Sequence, residues 1–413
     1  MKTKYLENSR KSIVLMLLLV VSYSLIYMTK NCYTAAMASI VEEGIMTKSE
    51  TGLISAVFYL VYAPFQIIGG IAADRLSPKW LITLGTLGGA IANILIYFTN
   101  SYIAMIAIWG FNAVVQFGVW PSIFKITTTE LMPNQRTAGI FSVNSATAIG
   151  LFISYAMAVF ISDWKDNFLY SAIILLIISV GFYFAYTALE KSMKHEDIQA
   201  PEPEKAKKKS QGRFSLIFKS GVPLLLLTSF TQNMINLGIK GITPVMLVEN
   251  YKGVTASIAS GLNIILVLAT PIGMLLSCAP FFRRITTPLA ISIFTMATIP
   301  LLIVVLFIGK INVALIVATL AAIIVFTSAT QLSFSYISRA FEKYGCVGTM
   351  SGLFNCASSL GIVAWNYGFT KLADSYGWGV TTKAWVIIML LSLSFALISI
   401  PIWKRFIKKV KTQ

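Results

Sequence analysis

Apolar runs of about twenty residues recur along nearly the whole chain, separated by short polar segments. No other feature constrains the fold as strongly. A backbone that crosses lipid must satisfy its own N–H and C=O groups, so runs of this length read as membrane-spanning helices. Spans are expected near 12–37, 49–73, 80–99, 102–127, 138–160 and 167–189, then near 221–248, 256–280, 286–308, 312–338, 347–370 and 382–404. Composition agrees: 56% of residues are hydrophobic and only 12% charged, against about 25% charged in a soluble domain. The first run is no cleavable signal, because it is too long, lacks a small-residue cleavage site and contains Lys30. The expectation is an all-α polytopic membrane protein of twelve transmembrane helices in two six-helix halves, 1–189 and 221–413, joined by a polar linker, 190–220.

Basic residues divide by side. Lys2, Lys4, Arg10 and Lys11 precede the first span, Lys191 to Lys219 fill the central loop, and Lys404, Arg405, Lys408, Lys409 and Lys411 follow the last span. The alternate loops hold only Lys48, Lys165, Lys252, Lys310, Lys371 and Lys383. The positive-inside bias puts both termini and the central loop in the cytoplasm. It also accounts for the net charge of +17 without a nucleic-acid partner. His195, the only histidine, falls in the linker and is expected to be solvated. Cys32, Cys278, Cys346 and Cys356 make no disulfide framework and no metal-ligand spacing. With no metal cluster, no cofactor motif and no nucleophile–base set, the chain is not expected to be an enzyme.

Three cations remain inside spans: Lys30 in helix 1, Lys125 near the inner end of helix 4 and Lys240 in helix 7. A charge at mid-membrane costs about 2.5–3.5 kcal/mol even on lenient scales. Every Asp and Glu falls in a loop, tail or helix end, so these lysines lack an intramembrane carboxylate to neutralise them. Water or an anion from outside has to compensate, and the interior should attract anions. The same absence argues against a proton relay through buried acids, and for exchange of one anion against another or for facilitated passage.

The stretch GGIAADRLSPKWL carries Gly70, Asp74, Arg75 and Lys79. It resembles the loop 2–3 signature G-x-x-x-D-R of the major facilitator superfamily. Finer matches resemble the organophosphate:phosphate antiporters, the glycerol-3-phosphate and hexose-phosphate carriers. YMTKNCYTAAM is similar to that family's helix 1 pattern, DRLSPK to its D-R-x-x-P-R, QFGVWPSIFKI to its helix 4 Q-G-x-G-W-P, and GTMSGLFNCASSLG with LADSYGW to its helix 11. The resemblance implies a rocking exchanger with a central anion site between the halves, gripped by one arginine from helix 1 and one from helix 7. Lys30 falls on the first position and Asn236 on the second, with Lys240 one turn further on. The family's helix 2 lysine position holds Gln66, and its helix 5 histidine position holds Thr147. Lysine is a point charge without the planar fork of arginine, so grip on a dianionic phosphate is weakened and a carboxylate becomes credible.

The expected function is secondary transport of a small organic anion, organophosphate or carboxylate, with inorganic phosphate a conceivable counter-substrate. Alternatives are proton- or sodium-coupled symport of a sugar acid or carboxylate, and a transporter-like sensor of an organophosphate. The expected site is Lys30 as anchor with Lys240 and Lys125, oriented by Tyr27, Asn236, Gln66, Thr147, Asn144, Tyr33 and Asn355. Gln116, Trp120, Tyr336 and Asn366 are further polar candidates, and Pro64, Pro121, Pro244, Pro271 and Pro300 are expected at kinks. Gly70, Asp74, Arg75 and Arg136 are expected to form a cytoplasmic gate. No cofactor is expected, and the chain is expected to act as a monomer in a bacterial cell membrane.

Overall fold

A computed structural model describes residues 2–46, 48–161, 163–197, 217–254 and 256–412. Most of the expected linker, 198–216, lies outside these residues, as do the side chains of His195, Pro244 and Asn366. The chain divides into two compact units, Met1–Gln199 with Ser338–Cys356 and Ala200–Ile337 with Ala357–Gln413.

In the first unit the helices are α1 (Ser9–Glu42), α2 (Lys48–Arg75), α3 (Pro78–Tyr97), α4 (Tyr102–Val115), α5 (Val119–Thr129), α6 (Arg136–Phe160) and α7 (Trp164–Glu190). The single helix expected over 102–127 is therefore two, α4 and α5, interrupted at Gln116–Gly118. Proline is the reason. Ser122 N–H donates to the Gly118 carbonyl in helical register, and one residue earlier Pro121 has no N–H to offer Phe117. Pro64 sits inside α2 without ending it.

The second unit holds α8 (Val222–Asn250), α9 (Ala256–Ser277), the short α10 (Pro280–Arg284), α11 (Thr287–Val305), α12 (Val313–Arg339, whose last two residues belong to the first unit), α14 (Thr370–Tyr376) and α15 (Trp378–Thr412). Helix α13 (Val347–Ala364) gives Val347–Cys356 to the first unit and the rest to the second. It runs into a π-helical stretch, Trp365–Phe369. Among the described residues eleven helical stretches are long and apolar enough to cross a membrane, α4 and α5 counting together as Tyr102–Thr129, and a further apolar helix, Gly261–Ser277, is shorter.

Inside the first unit α1 lies on α6 and α7, and α3 on α7. Leu15, Leu19, Ile82, Ile123, Val143 and Phe182 fill one core, and Tyr33, Ile54, Phe58, Trp109 and Phe168 another. Side chains such as Val14, Leu17, Leu84, Ile177 and Phe184 stay exposed, as lipid-facing positions require.

The polar chain ends hold one unexpected element. Strand β1 (Lys2–Tyr5) pairs antiparallel with β2 (Lys194–Asp197), Tyr5 opposite Lys194. Both segments read as irregular in the sequence because they are polar. Two isolated apolar residues beside the ribbon, Leu6 and Met193, are buried, and Leu6 N–H donates to the Glu130 carbonyl at 3.0 Å.

Candidate functional site

Lys30 is partly exposed on α1, and its ammonium is set among aromatic rings. Nζ lies 3.7 Å from the Tyr62 ring centroid, 5.1 Å from Phe58, 5.5 Å from Tyr59 and 6.0 Å from Tyr27. Three of these rings come from one face of α2, where positions 58, 59 and 62 share a side at helical spacing. Among the described residues no carboxylate pairs with Lys30. The sequence points to Lys30 and Tyr27 but the three rings of α2 were missed, although their spacing in AVFYLVYAPFQ was a usable signal.

Gln66, one turn beyond Tyr62, is fully buried. Its Nε2 donates to the Phe117 carbonyl at 3.1 Å, and its Oε1 accepts from Asn355 Nδ2 at 2.6 Å. The same Asn355 nitrogen reaches the Tyr62 hydroxyl at 3.4 Å. Asn355 and Gln66 are thus brought together beneath the Lys30 cage. Tyr27 contributes its ring to the cage. Tyr33 does not: it is buried against Trp109 and Phe168, and its hydroxyl donates to the Thr51 carbonyl at 3.3 Å. On α6, Asn144 donates to the Ile140 carbonyl and Thr147 to the Asn144 carbonyl, each at 2.7 Å. Gln116 spends its amide on Asn112, and Trp120 stacks near Tyr23.

In the second unit Lys240 is partly exposed on α8, and Nζ donates to Thr270 Oγ1 at 3.0 Å. Asn263 Nδ2 donates to the Lys240 carbonyl. Asn236 is fully buried and joins α8 to α12, Nδ2 donating to Thr327 Oγ1 at 2.7 Å and Ser328 Oγ at 3.1 Å. Its Oδ1 has no partner among the described residues. Both amide hydrogens are therefore spent, and what Asn236 retains is an acceptor. Tyr336 lies on Cys278.

Lys125, expected to help the anchor, is turned to the end of α2. Its ammonium donates to the carbonyls of Ala73 at 2.5 Å and Asp74 at 3.3 Å, complementing the negative end of the helix. The Asp74 carboxylate accepts from the N–H groups of Gly348 at 2.8 Å and Thr349 at 2.7 Å and from the Thr349 hydroxyl at 2.6 Å. It caps α13 from another element, in the manner of an N-cap side chain. Gly70 lies so close to the Gly348 carbonyl that a Cβ there would overlap it. Arg136 donates to the Leu131 and Thr129 carbonyls at the end of α5 and to Glu342 at 2.6 Å. Arg75 is exposed, and among the described residues it has no hydrogen-bond or ion-pair partner. Thr349 and Glu342 were not singled out in the sequence. Only the fold brings them beside residues more than 200 positions earlier.

Compared with known proteins, residues 19–366 match the family model described as Major Facilitator Superfamily. The chain belongs to that superfamily. It is a multi-pass membrane protein with the fold of a superfamily of transporters, not of enzymes. The Major Facilitator Superfamily transporter FucP, solved in its outward conformation, superposes with a TM-score of 0.70 at 16% identity, covering 94% of this chain and 99% of that one. At that identity the likeness concerns the fold alone. The "Membrane sensor protein UhpC" of Escherichia coli (strain K12) is 25% identical over 161 residues, 38% of this chain and 37% of that protein. The "Glycerol-3-phosphate transporter" of Bacillus subtilis (strain 168) is 27% identical over 168 residues, again 38% and 37%. These matches span well under half the length of the relatives.

Proposed function

We propose that this superfamily member is a secondary transporter of a small organic anion, working by alternating access and exchanging one anion for another. In this reading it has twelve spans in two six-helix halves, with both termini and the 190–220 linker in the cytoplasm of a bacterial cell. The observation that carries it is Lys30, a partly exposed residue within a membrane span whose ammonium lies over the Tyr62 ring, with no carboxylate partner among the described residues. Likeness to a glycerol-3-phosphate transporter supports an anionic substrate. A point charge at Lys30, without the planar fork of an arginine, favours a monoanion such as a carboxylate over a phosphate dianion. Asp74, Gly70 and Arg136 act as the gate.

Binding by the purified protein tests the reading. Thermal stabilisation is measured with glycerol 3-phosphate, glucuronate and inorganic phosphate, for the wild type and for Lys30→Ala. The reading expects at least one anion to stabilise the wild type, and the variant to require roughly tenfold more or to lose the response. Equal responses from both proteins would remove Lys30 from the site. A second reading, a membrane sensor, is favoured by the likeness to UhpC. A sensor would show the same binding and no uptake by reconstituted vesicles.

A further inference from the structure

We infer that Gln66 is a positioning residue that splints the broken fourth span and thereby holds Tyr62 under Lys30, and that it does not touch the transported anion. The inference rests on the proposed anion site and adds what fixes its geometry.

The break is the starting point. Past the interruption the α-helical register resumes, since Ser122 N–H reaches the Gly118 carbonyl at 3.1 Å. The preceding bond in that register would run from residue 121 to the Phe117 carbonyl, and proline cannot make it. A carbonyl left unsatisfied within a membrane span is costly. Gln66 Nε2 fills the vacancy at 3.1 Å, the bond that residue 121 withholds. The approach is built in on the same helix: at position 69 a Cβ would overlap the Phe117 carbonyl, so glycine lets α2 run against the break.

The other end of Gln66 faces the cage. Its Oε1 accepts from Asn355 Nδ2, which also reaches the Tyr62 hydroxyl, and the Tyr62 ring is the closest to Lys30 Nζ. Both ends of the Gln66 amide are thus engaged and its side chain is fully buried, which leaves little of it for a ligand. The chain of contacts runs from the interrupted helix, through the two side-chain amides of Gln66 and Asn355, to the ring that sets the lysine.

The discriminating test uses proline itself. Pro121→Ala restores the missing N–H, so it should make Gln66 partly dispensable. Gln66→Met keeps the side-chain length and removes both polar ends. For the full chain in detergent, Gln66→Met should lower the unfolding temperature by about 3 °C. It should also raise the glucuronate or glycerol 3-phosphate concentration for half-maximal stabilisation roughly fivefold. The double variant Gln66→Met with Pro121→Ala should recover at least half of both losses. The remainder belongs to the Asn355 bond, which alanine at 121 does not restore. A ligand-contacting Gln66 would give a loss of affinity that Pro121→Ala leaves untouched, and that result overturns the inference. If Gln66→Met does not accumulate as folded protein, rescue of folding by Pro121→Ala supports the splint, and failure of both variants to fold refutes it. If the wild type responds to neither anion, the proposed function fails, while the unfolding temperatures still decide the splint.

Discussion

At Lys30 two effects compete for one charge. Carrying an ammonium into a span costs about 2.5–3.5 kcal/mol, and a desolvated cation over an aromatic face recovers about 2 kcal/mol. Further rings at 5–6 Å add less, because each acts from a greater distance. The rings therefore offset most of the cost without cancelling it, and the residual field is available to an anion. A prediction follows for the nearest ring. Tyr62→Phe keeps the ring face and should change the unfolding temperature by less than about 2 °C, whereas Tyr62→Leu removes it and should cost about 1–2 kcal/mol. Thermal unfolding of the two variants checks this, and equal losses would mean that the hydroxyl, not the ring, matters. The lysine was legible in the sequence because a charge stands out in an apolar run. The rings were not, because Phe58, Tyr59 and Tyr62 read as ordinary apolar filling. Tyr27, Lys30 and Tyr33 follow one another at steps of three residues along α1. Each such step falls about 60° short of a full helical turn, so Tyr33 has rotated into the Trp109 and Phe168 core.

Among elements, the seam between α2 and the first part of α13 is the most ordered in polar terms. Tyr62, Gln66, Gly70 and Asp74 follow at four-residue spacing along one stripe of α2. They meet Asn355, Gly352, Gly348 and Thr349 in the reverse order. Small residues in the middle let the backbones approach, and hydrogen bonds close both ends. Asp74→Ala should remove the cap on α13 at a cost of about 1–2 kcal/mol, and Asp74→Asn should cost less because its amide oxygen still accepts. Unfolding temperatures of the two variants check this order, and a neutral alanine variant would contradict the cap. The motif around Asp74 was legible. Its partners were not, because nothing local in GTMSGLF says which helix it will meet. The interruption of the fourth span was missed for a related reason. Hydropathy is continuous through QFGVWP, and a kink at Pro121 was expected where the structure has a full break.

For the molecule as a whole, each of the two units repeats one device. In the first, Trp164 at the start of α7 donates its indole N–H to Glu43, just past the end of α1, at 3.0 Å. In the second, Trp378 at the start of α15 donates to Glu249, at the end of α8, at 2.6 Å. The first and last long helices of each unit are tied at the same end by the same pair of residue types. The spans themselves could be read from hydropathy, since lipid leaves a backbone few choices. The membership of Ser338–Cys356 in the first unit could not, since it depends on contacts made far along the chain. The role proposed for Lys30 is to draw an organic anion into the protein for exchange. Vesicles reconstituted with the protein and loaded with glucuronate or glycerol 3-phosphate test it most directly, by uptake of the same labelled anion with and without an imposed pH gradient. Wild-type uptake is expected to depend on the internal anion and not on the gradient, and to be lost in Lys30→Ala protein that unfolds at the wild-type temperature. Near-normal uptake by that variant would contradict the anchor, and uptake driven by the gradient without internal anion would contradict exchange.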